Sequence, residues 1–319
     1  MPPAAGIAVL MDPVDQLHPA KDSTIAMLRA AARRGCPTWY FEQHDLWVRD
    51  GRAEARLHRI EVTGASPDWY RLGDSEVRPL AGLGAVLMRK DPPFDTEYVY
   101  TTYLLERAAA AGVLVVNEPR GLRDMNEKVF TAWFPECCAP TLITRDMQQM
   151  AEFLAAQGRI VCKPLHGMGG RSIFVLGHGD ANARVVFETL TDYGRRYAMV
   201  QRYLPEIASS GDTRILLVDG EPMQHALARL PSGQDHRGNL AAGATGVVRE
   251  LTERDRWLCG RIGPLMRERG MLFVGLDVIG GFVTEINVTS PTGIREIEKQ
   301  TGDDIAGRLI EAILARLPA

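Results

Sequence analysis

The stretch Leu272-Phe-Val-Gly-Leu-Asp-Val-Ile-Gly-Gly-Phe-Val-Thr-Glu-Ile-Asn-Val-Thr-Ser-Pro291 constrains the fold more than any other. It is apolar, β-type sequence that carries three oxygen-bearing side chains, Asp277, Glu285 and Asn287. Gly280-Gly281 marks a turn between two strands. Side chains alternate faces along a strand, so Glu285 and Asn287 share one face. A three-residue turn over Gly280-Gly281-Phe282 sets Asp277 across from Glu285, whereas a two-residue turn puts them on opposite faces. A shared site therefore predicts the longer turn. Two carboxylates and one amide oxygen suit Mg²⁺ or Mn²⁺ shared with the phosphates of a nucleotide. The alternative is a half-buried hairpin whose polar residues face water.

With 319 residues the chain has room for two or three packed units. It is 45% hydrophobic and 24% charged with a net charge of −3, the profile of an ordinary soluble protein. A balance this close to neutral gives no electrostatic case for a nucleic-acid partner. No apolar run reaches ~18 residues, so no membrane-spanning helix is expected. The opening Met-Pro-Pro-Ala-Ala-Gly has no basic segment and leads into Ile7–Met11, which reads as a first strand, so a cytoplasmic location is expected. The cysteines Cys36, Cys137, Cys138, Cys162 and Cys259 show no Cys-x-x-Cys spacing. That argues against a disulfide framework or a zinc site and for a reducing compartment.

Three units are expected: 1–120, 121–203 and 204–319. In the first, strands at Ile7–Met11, Thr38–Phe41, Ala85–Met88 and Val113–Val116 alternate with helices over Thr24–Arg34 and Glu97–Ala111. A hairpin over 46–62 turns at Asp50-Gly51. Such alternation gives an open α/β sheet, parallel in its main part. The second unit reads as a small α+β lobe: a helix near Glu127–Phe134, then Thr141–Ile143, Met147–Gln157, Arg159–Lys163, Ser172–Leu176, Ala183–Thr191 and Ala198–Tyr203. From Thr213 the chain turns strongly β, with a hairpin at Asp219-Gly220 and helices over Thr252–Arg269 and Asp304–Leu317. The segment Pro231–Gly246 has no periodicity, and its length suits a flexible lid over 230–246.

Several segments carry polar groups suited to a phosphorylated ligand. Lys163-Pro-Leu-His-Gly-Met-Gly-Gly-Arg-Ser172 lies between two strands, so it is neither a Walker A loop nor a dinucleotide fingerprint. Its glycines let backbone N–H groups approach a phosphate, and Lys163 can add a point charge. A Gly-rich hairpin turn is the plainer reading. Lys128 is a second cation upstream. Gln201-Arg-Tyr-Leu-Pro-Glu206 ends a strand and can offer backbone groups to an adenine edge, or serve as a stiff linker. Asp212 and Arg214 share one face of the next strand, for a phosphate contact or a surface ion pair. Met88-Arg-Lys-Asp-Pro-Pro-Phe-Asp95 follows a strand at the carboxyl edge of the first sheet, where ligands of open α/β sheets bind. Arg89 there, and Arg295 in Ser290-Pro-Thr-Gly-Ile-Arg-Glu296, are candidate carboxylate clamps.

Taken in order, Met11-Asp-Pro13, Lys21-Asp-Ser23, Met88-Arg-Lys-Asp-Pro-Pro-Phe-Asp95, Asn126-Glu-Lys-Val-Phe-Thr-Ala-Trp-Phe134, Lys163-Pro-Leu-His-Gly-Met-Gly-Gly170, Arg237-Gly-Asn-Leu-Ala-Ala-Gly243, Phe273-Val-Gly-Leu-Asp277 and Thr284-Glu-Ile-Asn-Val-Thr-Ser-Pro-Thr292 closely resemble the bacterial (prokaryotic-type) glutathione synthetase family of the ATP-grasp superfamily. The likeness covers nearly the whole chain. Arg202 and Gly293 are local departures that touch no group given a chemical role here.

The resemblance implies an N-terminal open α/β (pre-ATP-grasp) domain followed by a two-lobed ATP-grasp fold, an α/β and α+β chain. It implies ATP-dependent ligation of γ-L-glutamyl-L-cysteine to glycine through an acyl phosphate, with Mg²⁺ or Mn²⁺, and a homo-tetramer. On this reading Asp277, Glu285 and Asn287 hold metal. Lys128, Lys163, Gly167, Met168, Gly169, Gly170, Gln201, Arg202, Tyr203, Leu204, Asp212 and Arg214 hold ATP. Arg229, Arg237, Asn239 and Arg214 attend the transferring phosphoryl group, and the 230–246 lid keeps water out. Arg89, Asp91, Ser290, Pro291, Thr292, Arg295 and Glu296 meet the substrates. Two rivals share the fold. Another ATP-grasp carboxylate–amine ligase would differ in the 11–23, 88–95 and 290–296 segments, and a non-catalytic nucleotide-binding regulator would lack a metal ligand or lid residue.

Overall fold

The computed structural model describes residues 6–64, 68–167, 170–231 and 245–317. Its first sheet holds β1 (Ile7–Leu10), β2 (Thr38–Phe41), β3 (Leu46–Arg49), β4 (Arg52–Val62), β5 (Tyr70–Pro79), β6 (Ala85–Met88) and β7 (Leu114–Val116). The order is β3-β4-β2-β1-β6-β7, with β5 paired to β4. β2, β1, β6 and β7 run parallel, as expected, and β3–β5 form an antiparallel extension. Strand β1 is buried along its whole length, so it can be continuously apolar. Helices α1 (Ser23–Arg33) and α2 (Thr96–Ala110) flank this sheet. Asp22 caps α1 by accepting from the N–H groups of Thr24 (2.6 Å) and Ile25 (3.0 Å). Strand β5 has no counterpart in the sequence reading, because a fully solvated strand carries no hydrophobic alternation.

The short helix α3 (Pro119–Asp124) leads into the second sheet, formed by β8 (Thr141–Thr144), β9 (Arg159–Pro164), β10 (Phe174–Gly177) and β11 (Ala198–Arg202). These four strands are antiparallel in the order β10-β9-β11-β8. Helices α4 (Met147–Gln157) and α5 (Ala183–Thr191) cover the sheet. Met150, Leu154, Ile160, Cys162, Leu176, Val186, Phe187 and Val200 belong to a core of its own. The expected helix over Glu127–Phe134 is instead a 3-10 segment, Val129–Trp133. Leu122, Met125, Phe130, Phe134 and Cys137 pack into the main body, so the chain from 121 to 138 is not part of the small lobe's core.

The third sheet follows α6 (Ile207–Ser210) and holds β12 (Asp212–Val218), β13 (Glu221–Leu230), β14 (Thr245–Glu250), β15 (Phe273–Ile279) and β16 (Phe282–Asn287). Its order is β14-β13-β12-β15-β16, all antiparallel. Helices α7 (Glu253–Glu268), α8 (Ile294–Thr301) and α9 (Ile305–Leu314) pack on it. β14 and α8 were not expected from sequence. The first and third sheets share two cores: Leu10, Met88 and Leu122 join Leu276 and Ile286 in one, and Val9, Ile25 and Leu87 join Leu216, Phe273 and Leu309 in the other. Asn117 pins them together. Its amide N–H groups donate to the carbonyls of Phe273 (2.7 Å) and Val288 (2.6 Å), and its carbonyl accepts from Phe273 N–H (2.9 Å). Among the described residues no helix is long and apolar enough to cross a membrane.

Candidate active site between the β15–β16 hairpin and the N-terminal domain

The β15–β16 turn has two residues, Gly280 and Gly281, with Ile279 paired to Phe282. Both glycines have positive φ (56° and 79°), which suits this tight hairpin turn. The expected three-residue turn is absent. A β-bulge replaces it: Val278 pairs with Val283 and Asp277 with Glu285, leaving Thr284 as the extra residue. One inserted residue reverses the facing just as a longer turn would. Asn287 sits two pairs further on, opposite Gly275, and its amide N–H donates to Asp277 Oδ2 (3.3 Å).

Asp212 and Arg214 on β12, Arg229 on β13 and Asp277 on β15 form one buried charge network rather than a surface pair. Arg214 donates twice to Asp277, from Nε to Oδ1 (2.5 Å) and from Nη2 to Oδ2 (3.0 Å). Arg229 bridges Asp212 (2.6 Å) and Asp277 (3.0 Å). Burial opposes charge on Asp277, but Arg214 and Arg229 hold its carboxyl well below the usual range. Asp212 feels two arginines, Arg229 and the weaker Arg214, against two other carboxylates. Burial, with Asp277 and Glu285 close by, pushes it up to about 6 despite Arg229. Its Oδ1 is buried without a hydrogen-bond partner among the described residues. Gly275 makes room for Arg214, because a Cβ there would lie 3.0 Å from both Arg214 Cδ and Pro291 Cβ.

Two lysines reach this site from the other side. Lys128 donates to Glu127 (2.7 Å) and to the Gly167 carbonyl (3.3 Å), and stands 3.5 Å from Glu285. Burial works against its charge, and Glu285 and Glu127 more than offset that, so its pKa is raised. Lys163 on β9 is buried and lowered by desolvation, although Glu285, Asp212 and Asp277 favour its charge. Asn126, given no role from sequence, ties the pieces together: Oδ1 accepts from Lys128 N–H (3.1 Å) and Val129 N–H (3.0 Å), and Nδ2 donates to the Leu165 carbonyl (2.9 Å). Its place immediately before the Glu-Lys pair was the available signal. Gly167 (φ 116°) and Gly170 (φ 75°) bound the Gly-rich loop. Met168, Gly169, Arg237 and Asn239 lie outside the described residues, as does the 230–246 lid except at its two ends.

The strand-end segment joins the second and third sheets. Gln201 is buried and donates to Thr141 Oγ1 (2.9 Å). Arg202 lies over Phe282 (5.6 Å), and Arg159 lies over Tyr203 (4.0 Å). The N–H groups of Arg202 and Tyr203 already donate to Pro140 and Arg159 carbonyls. The Leu204 N–H has no partner among the described residues.

A single cavity is lined by Asp277, Glu285, Asn287, Arg214 and Arg229 on one side and by Asp91, Phe94 and the Ser290-Pro-Thr292 loop on the other. Glu127, His166 and Gly167 close a third wall. Not every expected substrate residue lines it. Arg89 is buried and turned away, donating to Thr24 Oγ1 and to the Pro291 carbonyl (both 3.1 Å), so it braces the Ser-Pro-Thr loop. Arg295 and Glu296 start α8 and are not among the lining residues; the charged neighbours of Arg295 include Arg29, Glu296 and Glu298. The carboxylate-clamp expectation for Arg89 and Arg295 thus gains no geometric support. Sequence gives their positions but not their side-chain directions.

The donor set fits a hard divalent cation with help from a ligand. Among the described residues no three His, Cys, Asp or Glu side chains cluster as a metal site. Among the described residues Glu285 makes one ion pair, with Lys128, and Asn287 Oδ1 accepts no hydrogen bond. Both Asp277 oxygens are engaged by arginine. Glu285 and Asn287 can therefore supply oxygens directly, and phosphate oxygens would complete the shell.

Residues 6–123 match the model of the prokaryotic glutathione synthetase N-terminal domain, and residues 127–302 match that of the prokaryotic glutathione synthetase ATP-grasp domain. The chain is 51% identical over 313 residues to glutathione synthetase of Pseudomonas putida, covering 98% of both chains. It is 49% identical over 304 residues to that of Coxiella burnetii, covering 95% of this chain and 94% of the other. Its fold is similar to that of a D-cycloserine synthetase (TM-score 0.68, 17% identity, 98% and 100% covered). It also matches a D-alanyl-alanine synthetase A of Vibrio cholerae in fold (TM-score 0.62, 11% identity, 98% of each covered). A bulged hairpin bearing two carboxylates and an amide, flanking lysines and an arginine-rich sheet thus sit in a chain that belongs to the prokaryotic glutathione synthetase family, ligases built on the ATP-grasp fold.

Proposed function

We propose that this chain joins γ-L-glutamyl-L-cysteine to glycine, converting ATP to ADP and phosphate. The observation that carries the reading is that Glu285, Asn287 and the Arg214–Asp277–Arg229 network line the same cavity as Asp91 and the Ser290-Pro-Thr292 loop, in a chain of this family. A carboxylate is a poor electrophile, so the amide needs an activated acid. An oxygen of the cysteinyl carboxylate attacks the γ-phosphorus of ATP, the bond to the β-phosphate oxygen breaks, and ADP leaves. The glycine nitrogen then attacks the acyl carbon and gives up a proton; phosphate departs with the carboxylate oxygen that attacked phosphorus, and the other oxygen stays as the amide carbonyl.

The residues of the chain position and neutralise. Leu204 N–H is free to meet an adenine edge, and the unpartnered Asp212 Oδ1 is free to accept from a ribose hydroxyl. Lys128 and Lys163 add positive charge next to the Gly-rich loop, where phosphates gain most from it. Glu285 and Asn287, with Asp277, would hold Mg²⁺ or Mn²⁺, which supplies charge neutralisation on the phosphates. The 1–120, 121–203 and 204–319 division, a cytoplasmic location and a homo-tetramer belong to the same reading. The open ten-residue edge strand β5 supports an assembled form, since bare edges pair readily. Release of ADP by the purified chain, with γ-glutamylcysteine, glycine and Mg²⁺ omitted in turn, tests the proposal. ADP release that does not require γ-glutamylcysteine would sink it.

A further inference from the structure

Four carboxylates line the cavity: Asp91, Glu127, Asp277 and Glu285. Three of them have cations. Asp277 is held by Arg214 and Arg229, and Glu127 and Glu285 share Lys128. Asp91 makes no ion pair among the described residues. It lies just past the end of β6, with its side chain open to the cleft. Its neighbours explain why it lacks a counter-ion. Asp12 accepts from the Asp91 N–H (2.9 Å) and takes the Lys90 ammonium (2.8 Å), which also donates to the Asp91 carbonyl (2.8 Å). Arg89 turns to Thr24 and Pro291. Surrounding protein raises the Asp91 carboxyl, Ser290 and Arg89 work to lower it, and Asp12 and Asp22 raise it further.

Tyr98 is the second observation. Its side chain is 1% exposed, and its hydroxyl is buried with no hydrogen-bond partner among the described residues. Arg89 and Asp91 are the charges it feels. Its ring packs against Phe94, which lines the cavity (4.9 Å between centroids). A buried phenol without a partner destabilises the fold, so its place beside a carboxylate that makes no ion pair points to a liganded state in which it is paired.

An unpaired carboxylate in a cleft lacks a cation with several donors, and a primary ammonium offers one charge and three N–H groups. We propose that Asp91 seats the primary ammonium group of an amino-acid substrate, and that the Tyr98 hydroxyl donates to the same carboxylate once that group is bound. The proposal rests on the ligase reading above, in which both glycine and γ-glutamylcysteine bring such a group.

Steady-state kinetics of the full chain test it with wild type, Asp91→Asn, Asp91→Glu and Tyr98→Phe. The substrates are ATP, glycine, γ-glutamylcysteine and glutarylcysteine, which lacks only the α-amino group. Asp91→Asn should raise the KM of one amino substrate by about tenfold or more, with the KM of ATP unchanged. Asp91→Glu should recover part of that loss. If γ-glutamylcysteine is the one seated, wild type discriminates against glutarylcysteine and Asp91→Asn does not; if glycine is, the discrimination survives. Tyr98→Phe should raise the same KM while its unfolding midpoint stays level or rises, a combination that a purely structural hydroxyl would not give. KM values within twofold of wild type in Asp91→Asn, or a fall in kcat alone, overturn the proposal. Wild type that releases no ADP sinks the ligase reading instead, and calorimetric titration of both amino substrates into wild type and Asp91→Asn then decides Asp91 by itself.

Discussion

Asp277 faces Glu285 across the β15–β16 hairpin because Thr284 bulges out of the ladder between them. Strand alternation keeps Asn287 on the Glu285 face, two pairs further along. Glu285→Gln keeps the shape and removes the charge. It should lower turnover by about a hundredfold or more and leave stability within about 0.5 kcal/mol, as for most half-exposed polar exchanges. Ligation at the wild-type rate, with an unchanged urea midpoint, would refute the ligand role.

Gly275→Ala tests the arginine that grips Asp277. The new methyl group meets Arg214 Cδ and Pro291 Cβ at 3.0 Å, so either the guanidinium or the Ser-Pro-Thr loop must shift. Displacement of this order costs about tenfold to a hundredfold in kcat/KM. The check is kcat/KM for each substrate beside a thermal melt. Unimpaired kinetics would mean that Arg214 need not stand where it does.

Asn117→Ala should destabilise the whole chain by about 2–5 kcal/mol, because three buried backbone groups of Phe273 and Val288 lose their partner. Urea unfolding followed by tryptophan fluorescence measures it. A loss under about 1 kcal/mol would mean that water replaces the amide.

The raised Asp212 carboxyl sets a pH dependence. Folded protein keeps that proton up to about 6, whereas the unfolded chain releases it near the ordinary carboxylate value of about 3.9. The group therefore favours the fold below about 3.9, and that contribution is lost as pH rises towards 6. Asp277 runs the other way: its depressed pKa stabilises above the ordinary carboxylate value and is lost on acidification. Comparing wild type with Asp212→Asn isolates the first effect. Wild-type stability minus that of the variant should fall between pH 4 and pH 6.5 and level off above. A difference that stays flat or rises in that window contradicts the protonation assigned to Asp212.

Labelling gives the order of chemistry. ¹⁸O in the cysteinyl carboxylate of γ-glutamylcysteine should appear in the released phosphate, since that oxygen bonds to phosphorus before glycine attacks. Phosphate free of label would exclude an acyl phosphate.

Much of this architecture was legible because its elements are locally marked. Helices α4 and α5 have the bounds that their amphipathic spacing gives, and Asp50-Gly51 and Asp219-Gly220 turn hairpins as their dipeptides require. That Asp277, Glu285 and Asn287 lie on one hairpin could also be read. The misses have physical causes. Strand β5 is solvated along nearly all its length, so no apolar alternation marks it. Helix α8 is short and carries charges at half its positions, so one buried stripe of Ile294 and Ile297 was too little signal. The bulge at Thr284 cannot be counted from residues, since register is settled by the packing of both faces. Arg89 shows the remaining limit: a long side chain reaches in many directions, and the choice among them is made by partners far away in the chain, such as Thr24 and Pro291.

Phe187, Leu190, Val200 and their neighbours make a core that shares no member with the other two. A methyl group lost there is felt within the small sheet and its two helices. By contrast, Leu10 and Leu276 belong to one apolar body, so a change at either alters the seam between the first and third sheets, where the cavity opens. Two tempos of drift follow within a single polypeptide. The lobe beside the Gly-rich loop can be rewritten from inside with little notice elsewhere, while the paired sheets must change together or not at all.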